Sequence, residues 1–211
     1  MLQEEQKEQN IERVLQIAYE LFLLHGIENT TKTMLAKTSG LSRKSIDRYF
    51  SDKTDCVLQV ADWIGKHVRS NINRYPASLF TDGRHTGAQL LRMYMERAKE
   101  LLMDTPRIFV CRAEFKTFVY RNCADFEKSY ARLLDALDCH RLIFNICTLG
   151  IRDGSFRSDL DAQAETAYIC EGFLGFLSNM ALSAGQDPFR TARQIDLYID
   201  KVMAMYKAAK E

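Results

Sequence analysis

The sequence predicts an all-α protein, and three observations support this fold class. Apolar residues recur at the three- and four-residue spacing of amphipathic helices along most of the 211 residues, whereas strand-like alternation is hard to find. Each of the three prolines, Pro76, Pro106 and Pro188, stands where a helix can break. Glycine-bearing joints, namely TDGRHTG, RDGSFRSD and SAGQDP, separate other helical segments. We therefore expect about nine helices.

The predicted helices follow one another between these breaks. They span residues 4–25, 32–39, 43–49, 53–74, 85–103, 106–121, 124–150, 160–182 and 188–208. In the first, Ile11, Val14, Ala18 and Phe22 share one face, and Gly26 stands where a C-cap is expected. Gly40 separates the second helix from the third, and the later helices begin or end at the prolines and glycine joints.

Composition limits the class of protein. With 46% hydrophobic and 27% charged residues, the chain is an ordinary globular sequence, neither disordered nor collagen-like. Its six cysteines are scattered without a C-x-x-C pair, and no signal peptide is visible, so we expect reduced thiols in the cytoplasm. The longest nearly apolar run, AYICEGFLGFLSNMAL, contains Glu171 and Asn179 and is too short to span a bilayer. We expect a soluble protein with no membrane partner.

A basic patch lies near the N-terminus. Residues 30–53 hold six lysines or arginines and two aspartates, a local net charge of +4 in a chain of net charge +1. The stretch TTKTMLAKTSGLSRKSIDRYF indicates a helix, a glycine turn at Gly40 and a second helix with Ser42 as its N-cap. Leu35, Ile46 and Phe50 would join the two helices and leave the basic face outside. Such a helix fits the major groove of DNA, although a solvated charged face is the alternative.

These residues resemble the N-terminal domain of the TetR-like transcriptional regulators. That family shows T-x-x-x-(I/L)-A-x-x-x-G-(V/L)-S followed by (Y/H)-F-x-x-K. The pattern is met here by Thr31, Leu35, Ala36, Gly40, Leu41, Ser42, Tyr49, Phe50 and Lys53. The resemblance implies a helix-turn-helix DNA-binding domain over residues 1–52 and a helical ligand-binding and dimerisation domain over residues 53–211. It also implies a homodimer whose DNA binding responds to a small molecule.

The resemblance also implies which residues contact DNA. They are Thr31, Lys32, Thr33, Arg43, Lys44, Ser45, Arg48, Tyr49 and Lys53. Two positions depart from the family pattern. Lys44 replaces a common glycine or proline and adds a phosphate anchor, whereas Asp47 replaces the tyrosine that most members lay against the DNA backbone.

Asp47 is therefore a candidate DNA-binding residue of a different kind. It follows Arg43 by four residues, so the two side chains can pair on one helix face. The pair would orient Arg43 toward a base, and the carboxylate would repel the phosphates of random DNA. The alternative is that Asp47 points away from the groove and is merely tolerated.

The rest of the chain lacks a catalytic constellation. We find no G-x-G-x-x-G, P-loop, G-x-S-x-G or H-E-x-x-H, so we expect no enzymatic activity, no cofactor and no metal. Cys139, His140 and Cys147 could suggest a metal or thiol sensor, but such residues on a helix more often fill core and surface.

An apolar ligand pocket is expected from the resemblance, and aromatic residues with a few polar ones could line it. An aromatic stripe is also what an ordinary core contains. The candidates are Trp63, His67, Tyr94, Phe109, Arg112, Phe115, Phe118, Tyr130, Phe144, Asn145 and Glu171.

The last two predicted helices suggest a dimer interface. Two such helices from each of two chains would form a four-helix bundle, although they could also pack entirely within one chain. The candidates are Gly172, Phe173, Gly175, Phe176, Leu177, Ile195, Tyr198, Ile199, Val202, Met205 and Tyr206.

Together these features predict a ligand-responsive DNA-binding regulator. The expected mode is a homodimeric repressor on a pseudo-palindromic double-stranded operator, released by a small-molecule effector of unknown identity. The alternative is a helical ligand carrier or adaptor protein whose helix-turn-helix does not function.

Overall fold

The computed structural model describes the backbone of residues 2–67, 83–137 and 139–207, and side chains from residue 8 onward within most of those ranges. The described backbone is helical apart from turns and one isolated antiparallel bridge between Phe156 and Lys207. The predicted all-α fold class is therefore confirmed.

The helices lie close to their predicted positions. They are α1 (Leu2–His25), α2 (Lys32–Ser39), α3 (Arg43–Tyr49), α4 (Lys53–His67), α5 (Gly87–Asp104), α6 (Arg107–Asn122), α7 (Phe126–Leu137), α8 (His140–Arg152), α9 (Ala162–Ala167), α10 (Leu174–Ala181) and α11 (Pro188–Tyr206). A π-helical turn, Tyr168–Phe173, joins α9 to α10. The predicted ends of the fourth and ninth helices, 68–74 and 208, lie outside the described residues.

The prediction of one helix over residues 124–150 is wrong, because this segment forms two helices, α7 and α8. The chain breaks between α7 and α8, where Cys139 adopts a left-handed conformation with φ of 56°. Neither glycine nor proline indicates this break in the sequence. The apolar spacing continues on both sides, so periodicity alone could not locate it.

The chain divides into two compact units. The first comprises Met1–Ser70 and Cys111–Leu137, and the second comprises Asn71–Val110 and Asp138–Glu211. The division that the sequence suggested, a DNA-binding domain over residues 1–52 and a ligand-binding and dimerisation domain over residues 53–211, remains a prediction.

The core of the first unit lies beneath the helix-turn-helix. Helix α1 packs against α2 and α4, and α4 packs against α7. Val14, Ala18 and Phe22 of α1 are buried, as the predicted stripe requires. Phe22 meets Phe115 of α6 edge to face at 5.9 Å between ring centroids. Burial of such apolar side chains supplies the main stabilisation of the unit.

The second unit is built around a close crossing of α5 and α8. Gly87 and Gly150 lie at the crossing, where a Cβ added to Gly87 would collide with the Gly150 backbone. Two residues that follow α8 accept hydrogen bonds from the first amides of α5. The Gly87 amide donates to the Asp153 carboxylate at 2.8 Å, and the Ala88 amide donates to the Ser155 hydroxyl at 3.0 Å. These bonds provide partners for α5 amides that lack one within the helix.

Candidate nucleic-acid interface

Helices α2 and α3 form a helix-turn-helix with the predicted caps. Thr31 Oγ1 accepts a hydrogen bond from the Met34 amide at 3.2 Å and so begins α2. Gly40 ends it with a φ of 71°, in the left-handed region that glycine tolerates. Ser42 Oγ accepts from the Ser45 amide at 3.1 Å and begins α3. The cap positions read from Gly40 and Ser42 are confirmed.

The inner faces of the two helices are apolar, as predicted. Leu35, Ile46 and Phe50 are buried, and Ala36 and Leu41 are half-buried. Their packing fixes α3 against α2, which in turn packs against α1. The opposite side of α3 is consequently turned to solvent.

The outer surface carries most of the predicted DNA contacts. Thr31, Thr33, Arg43, Lys44 and Arg48 are exposed, whereas Ser45 and Tyr49 are half-buried. We call these seven residues the outer face of the helix-turn-helix. Two of its cations are held in place by hydroxyl groups: Arg43 Nη1 donates to Thr33 Oγ1 at 2.8 Å, and Arg48 Nη2 donates to Ser45 Oγ at 3.4 Å.

Asp47 lies between two cations at the edge of this face. Its carboxylate is 3.4 Å from Arg43 Nε, which is the i, i+4 pair that the helical spacing indicated. It is also 3.0 Å from Lys32 Nζ. The hydrogen bond from Lys32 is the main reason that the pKa of the Asp47 carboxyl is lowered. Desolvation is the next largest effect and opposes it, and the charges of Lys32 and Arg43 add to the lowering.

Lys32 has a role that the sequence did not reveal. Its ammonium donates to Asp47 Oδ1 at 3.0 Å and to the backbone oxygens of Phe50 at 2.8 Å and Ser51 at 3.2 Å. Its side chain is only 18% exposed. Lys32 and Asp47 are 15 residues apart and lie on different helices, so no helical spacing could have indicated the pair.

Lys53, the last predicted DNA contact, lies at the start of α4. Its ammonium donates to the Glu28 carbonyl at 2.5 Å and lies 6.0 Å from the centre of the Phe118 ring. Asp52 caps the same helix, because its carboxylate accepts from the Asp55 amide at 2.8 Å. Lys53 thereby joins α4 to the loop that leads into α2.

The residues predicted to line a ligand pocket are distributed over both units. In the first unit Arg112, Phe115 and Phe118 are buried, and Trp63 and Tyr130 are half-buried; the side chain of His67 lies outside the described residues. In the second unit Tyr94 and Phe109 are buried. The other three predicted residues of that unit are exposed, namely Phe144, Asn145 and Glu171.

A cavity of about 340 Å³ lies between α1 and α4 of the first unit. Of the predicted pocket residues, Trp63 alone lines this cavity. The lining comprises Glu8, Ile11, Glu12, Leu15, Gln59, Asp62, Trp63 and Lys66. The effector site therefore remains a prediction.

The predicted dimer residues separate into an inner and an outer set. The inner set is buried in the core of the second unit and consists of Phe173, Leu177, Ile195, Ile199, Val202 and Tyr206. These six side chains offer no surface to another chain, which corrects their assignment to an interface. The outer set keeps exposed surface and consists of Gly172, Gly175, Phe176, Tyr198 and Met205.

The described thiols are poorly suited to sensing. Five of the six cysteines are buried, and Cys123 is half-buried. Burial raises the pKa of Cys147 to about 11 and that of Cys56 to about 12, which disfavours the reactive thiolate.

Over the part of the chain that the structure describes, no three His, Cys, Asp or Glu side chains are grouped to hold a metal ion. No described helix is long and apolar enough to cross a membrane.

The fold and the outer face define a helix-turn-helix domain of the kind that binds DNA. Residues 14–60 match the model of a family described as bacterial regulatory proteins, tetR family. The N-terminal domain thus matches the family that its sequence pattern indicated, over residues 14–60.

The chain is similar to several regulators. It is 23% identical over 103 residues to an HTH-type transcriptional regulator of Staphylococcus aureus, and the match spans 49% of this chain and about half, 53%, of that protein. It resembles the solved fatty acid degradation regulator FadR of Bacillus halodurans, with a TM-score of 0.69 and 13% identity, over 90% of this chain and 96% of that one.

A further FadR structure has the same fold. Thermus thermophilus FadR, described as a repressor in complex with lauroyl-CoA, matches with a TM-score of 0.63 and 19% identity, over 95% of this chain and 96% of the other. At identities this low, the similarity of these structures establishes a shared fold and nothing more specific.

Proposed function

We propose that this chain is a transcriptional repressor that binds a pseudo-palindromic DNA operator as a homodimer and leaves it when a small molecule binds. One observation carries the proposal: a capped helix-turn-helix presents Thr33, Arg43, Lys44 and Arg48 together on its outer face. A short helix with exposed cations and hydroxyls is suited to enter a major groove and bind the flanking phosphates.

The cations of the outer face divide into two roles. Arg43 is held by Asp47 and Thr33, so the direction of its guanidinium is fixed and the group is suited to bind a guanine. A bidentate contact of this kind contributes about 1–3 kcal/mol of discrimination against a wrong base. Lys44 has no ion pair within the described residues and is suited to bind a phosphate. Thr31, Ser45, Arg48, Tyr49 and Lys53 complete the proposed contacts.

A dimer follows from the geometry of DNA. Two recognition helices must enter successive major grooves about 34–36 Å apart, so two copies of the chain are required. The outer set on the π-helical turn, α10 and α11 is the surface we propose for the contact. It combines the small Gly172 and Gly175 with the stacked rings of Phe176 and Tyr198, whose centroids are 4.6 Å apart.

Long-chain acyl-CoA thioesters are the first effectors to test. The FadR of Bacillus subtilis, described in complex with stearoyl-CoA, matches this chain with a TM-score of 0.68 and 13% identity. Thermus thermophilus FadR is described with lauroyl-CoA. We propose that an effector of this kind lowers operator affinity by roughly 5- to 150-fold, the usual range of allosteric coupling.

The test is selection of a binding site from randomised duplex DNA, followed by fluorescence anisotropy on the selected duplex. We expect a site with two related halves, tight binding that weakens with salt, and release by stearoyl-CoA or lauroyl-CoA. Arg43→Ala should lose the selected site while retaining weak binding to random duplexes. A protein that binds acyl-CoA but no DNA at low salt would instead be a ligand carrier.

A further inference from the structure

The Lys32 ammonium is fully occupied inside the protein. An ammonium group has three donors, and the three acceptors around Lys32 Nζ are Asp47 Oδ1, Phe50 O and Ser51 O, at 2.8–3.2 Å. Only 18% of its side chain is exposed. To bind a phosphate, Lys32 would have to release these partners.

The contacts of Lys32 fasten the end of α3. Phe50 is the C-cap of that helix, and Ser51 follows it. Carbonyl groups at a helix C-terminus lack partners within the helix and carry partial negative charge, so a cation there is favourable. Lys32 is the first residue of α2, so one side chain joins the beginning of α2 to the end of α3.

Asp47 extends this link to Arg43, the residue that we propose reads a base. One oxygen binds Lys32, and the carboxylate also pairs with Arg43 Nε. Arg43 is held a second time through Nη1 by Thr33 of α2. Two of its five N–H donors are thus used inside the protein, which leaves donors free for a base edge.

We propose that Lys32 and Asp47 are positioning residues, which set the angle of α3 and the direction of Arg43 without touching DNA. This proposal rests on the proposed DNA-binding function. It differs from the contact that the family resemblance implies for Lys32. It also separates the basic residues of the patch into a structural cation, Lys32, and groove-facing cations such as Lys44.

Salt dependence distinguishes the two kinds of cation. Each phosphate contact releases counterions and adds about 0.9 to the slope of log K against log salt concentration. A positioning residue contributes nothing to that slope on random DNA, yet its loss weakens recognition of the operator. The full-length protein is measured on the selected operator and on a scrambled duplex of the same length, at several salt concentrations.

Three variants are compared in this titration. Lys44→Ala should lower the slope by about one on both duplexes, as expected for a phosphate contact. Lys32→Met removes the same charge but should leave the slope on the scrambled duplex unchanged while weakening the operator roughly 5- to 150-fold. Asp47→Asn should bind the scrambled duplex more tightly and the operator no more tightly, so the specificity ratio falls.

A measurement without DNA tests the link itself. Circular dichroism first establishes that each variant is folded. NMR titration of the Asp47 carboxyl should then show a higher pKa in Lys32→Met than in the parent protein, because the largest stabilising partner is gone. Asp47→Asn alters an exposed side chain, so it supplies a folded variant if Lys32→Met does not fold.

The failures are distinguishable. If Lys32→Met lowers the salt slope on scrambled DNA as Lys44→Ala does, then Lys32 is a phosphate contact and the positioning proposal is wrong. An unchanged specificity ratio in Asp47→Asn would refute the role of Asp47. A parent protein that binds no duplex even at low salt would overturn the proposed function, and the positioning roles with it.

Discussion

The Glu114 carboxylate on α6 accepts a hydrogen bond from the Ile27 amide, with 2.9 Å between Oε2 and N. Ile27 is buried in the loop between α1 and α2, where Gly26 adopts a left-handed φ of 81°. The same loop is joined to α4 through Lys53 and the Glu28 carbonyl. Glu114 therefore holds the segment that leads into the Thr31 cap.

Removing this acceptor should weaken both folding and DNA binding. Glu114→Ala leaves the buried Ile27 amide without its partner, at a cost of about 1–3 kcal/mol. In a chain of this size each kcal/mol lowers Tm by roughly 2–4 °C. Glu114→Gln is the matched control because its amide oxygen can still accept. Differential scanning calorimetry and anisotropy measure the two effects; equal Tm values for the alanine variant and the parent protein would refute the role of Glu114.

The crossing of α5 and α8 predicts a second outcome. Gly150→Ala places a methyl group against the ring of Phe156, and Gly87→Ala places one against the Gly150 backbone. Overpacking of this kind typically costs about 1–3 kcal/mol, and we expect Gly87→Ala to cost more because a backbone yields less than a side chain. Urea unfolding gives both values. A Gly87→Ala protein as stable as the parent would show that α5 and α8 can separate at little cost.

The outer set predicts how a dimer should be broken. Within the described chain nothing lies within 4 Å of a Cβ added at Gly175, so a side chain that starts there meets no immediate neighbour in the protomer, and we expect Gly175→Arg to fold. At the proposed interface, however, the charge would be buried without a partner, and we expect a folded monomer with weak operator binding. Light scattering at micromolar concentration, with circular dichroism as the folding check, tests this.

The control for that variant lies on the inner set. Leu177 and Ile199 are buried in the core, so Leu177→Glu and Ile199→Glu should unfold the protein rather than separate two folded chains. If Gly175→Arg remains dimeric at micromolar concentration, the contact between copies lies on another surface.

Thiol reactivity gives a fourth prediction. At pH 8 a thiol whose pKa is raised to about 11, such as Cys147, is almost entirely protonated and unreactive. Cys123 is half-buried while the other five cysteines are buried. Iodoacetamide should therefore modify Cys123 first in the native protein, as mass spectrometry of the digest can show. Cys123→Ser should remove the rapid modification, and fast labelling of Cys147 would contradict the burial argument.

Local signals explain what the sequence predicted correctly. The helix caps at Gly40 and Ser42 depend only on neighbouring residues, so a short stretch of sequence is enough to predict them. The Arg43–Asp47 pair likewise follows from spacing within one helix. The basic patch and the family pattern then indicate the surface that we propose for DNA binding.

Tertiary contacts explain what the sequence did not predict. The partners of Lys32 depend on how α2 and α3 pack, and the hydrogen bond from Ile27 to Glu114 joins residues 87 positions apart. Large apolar or aromatic residues occur in both the inner and the outer set of the proposed interface helices. Composition therefore could not tell a core position such as Ile199 from a surface position such as Met205.

The π-helical turn from Tyr168 to Phe173 affects how this chain should be aligned with its relatives. A π turn closes its hydrogen bonds one residue later than an α-helix, so it holds one residue more per turn. Each residue in an α-helix advances the side-chain direction by about 100°. A relative with a regular α-helix here should therefore need a one-residue gap between residues 168 and 173. Without that gap, every position of α10 would be paired with a residue that points to a different face.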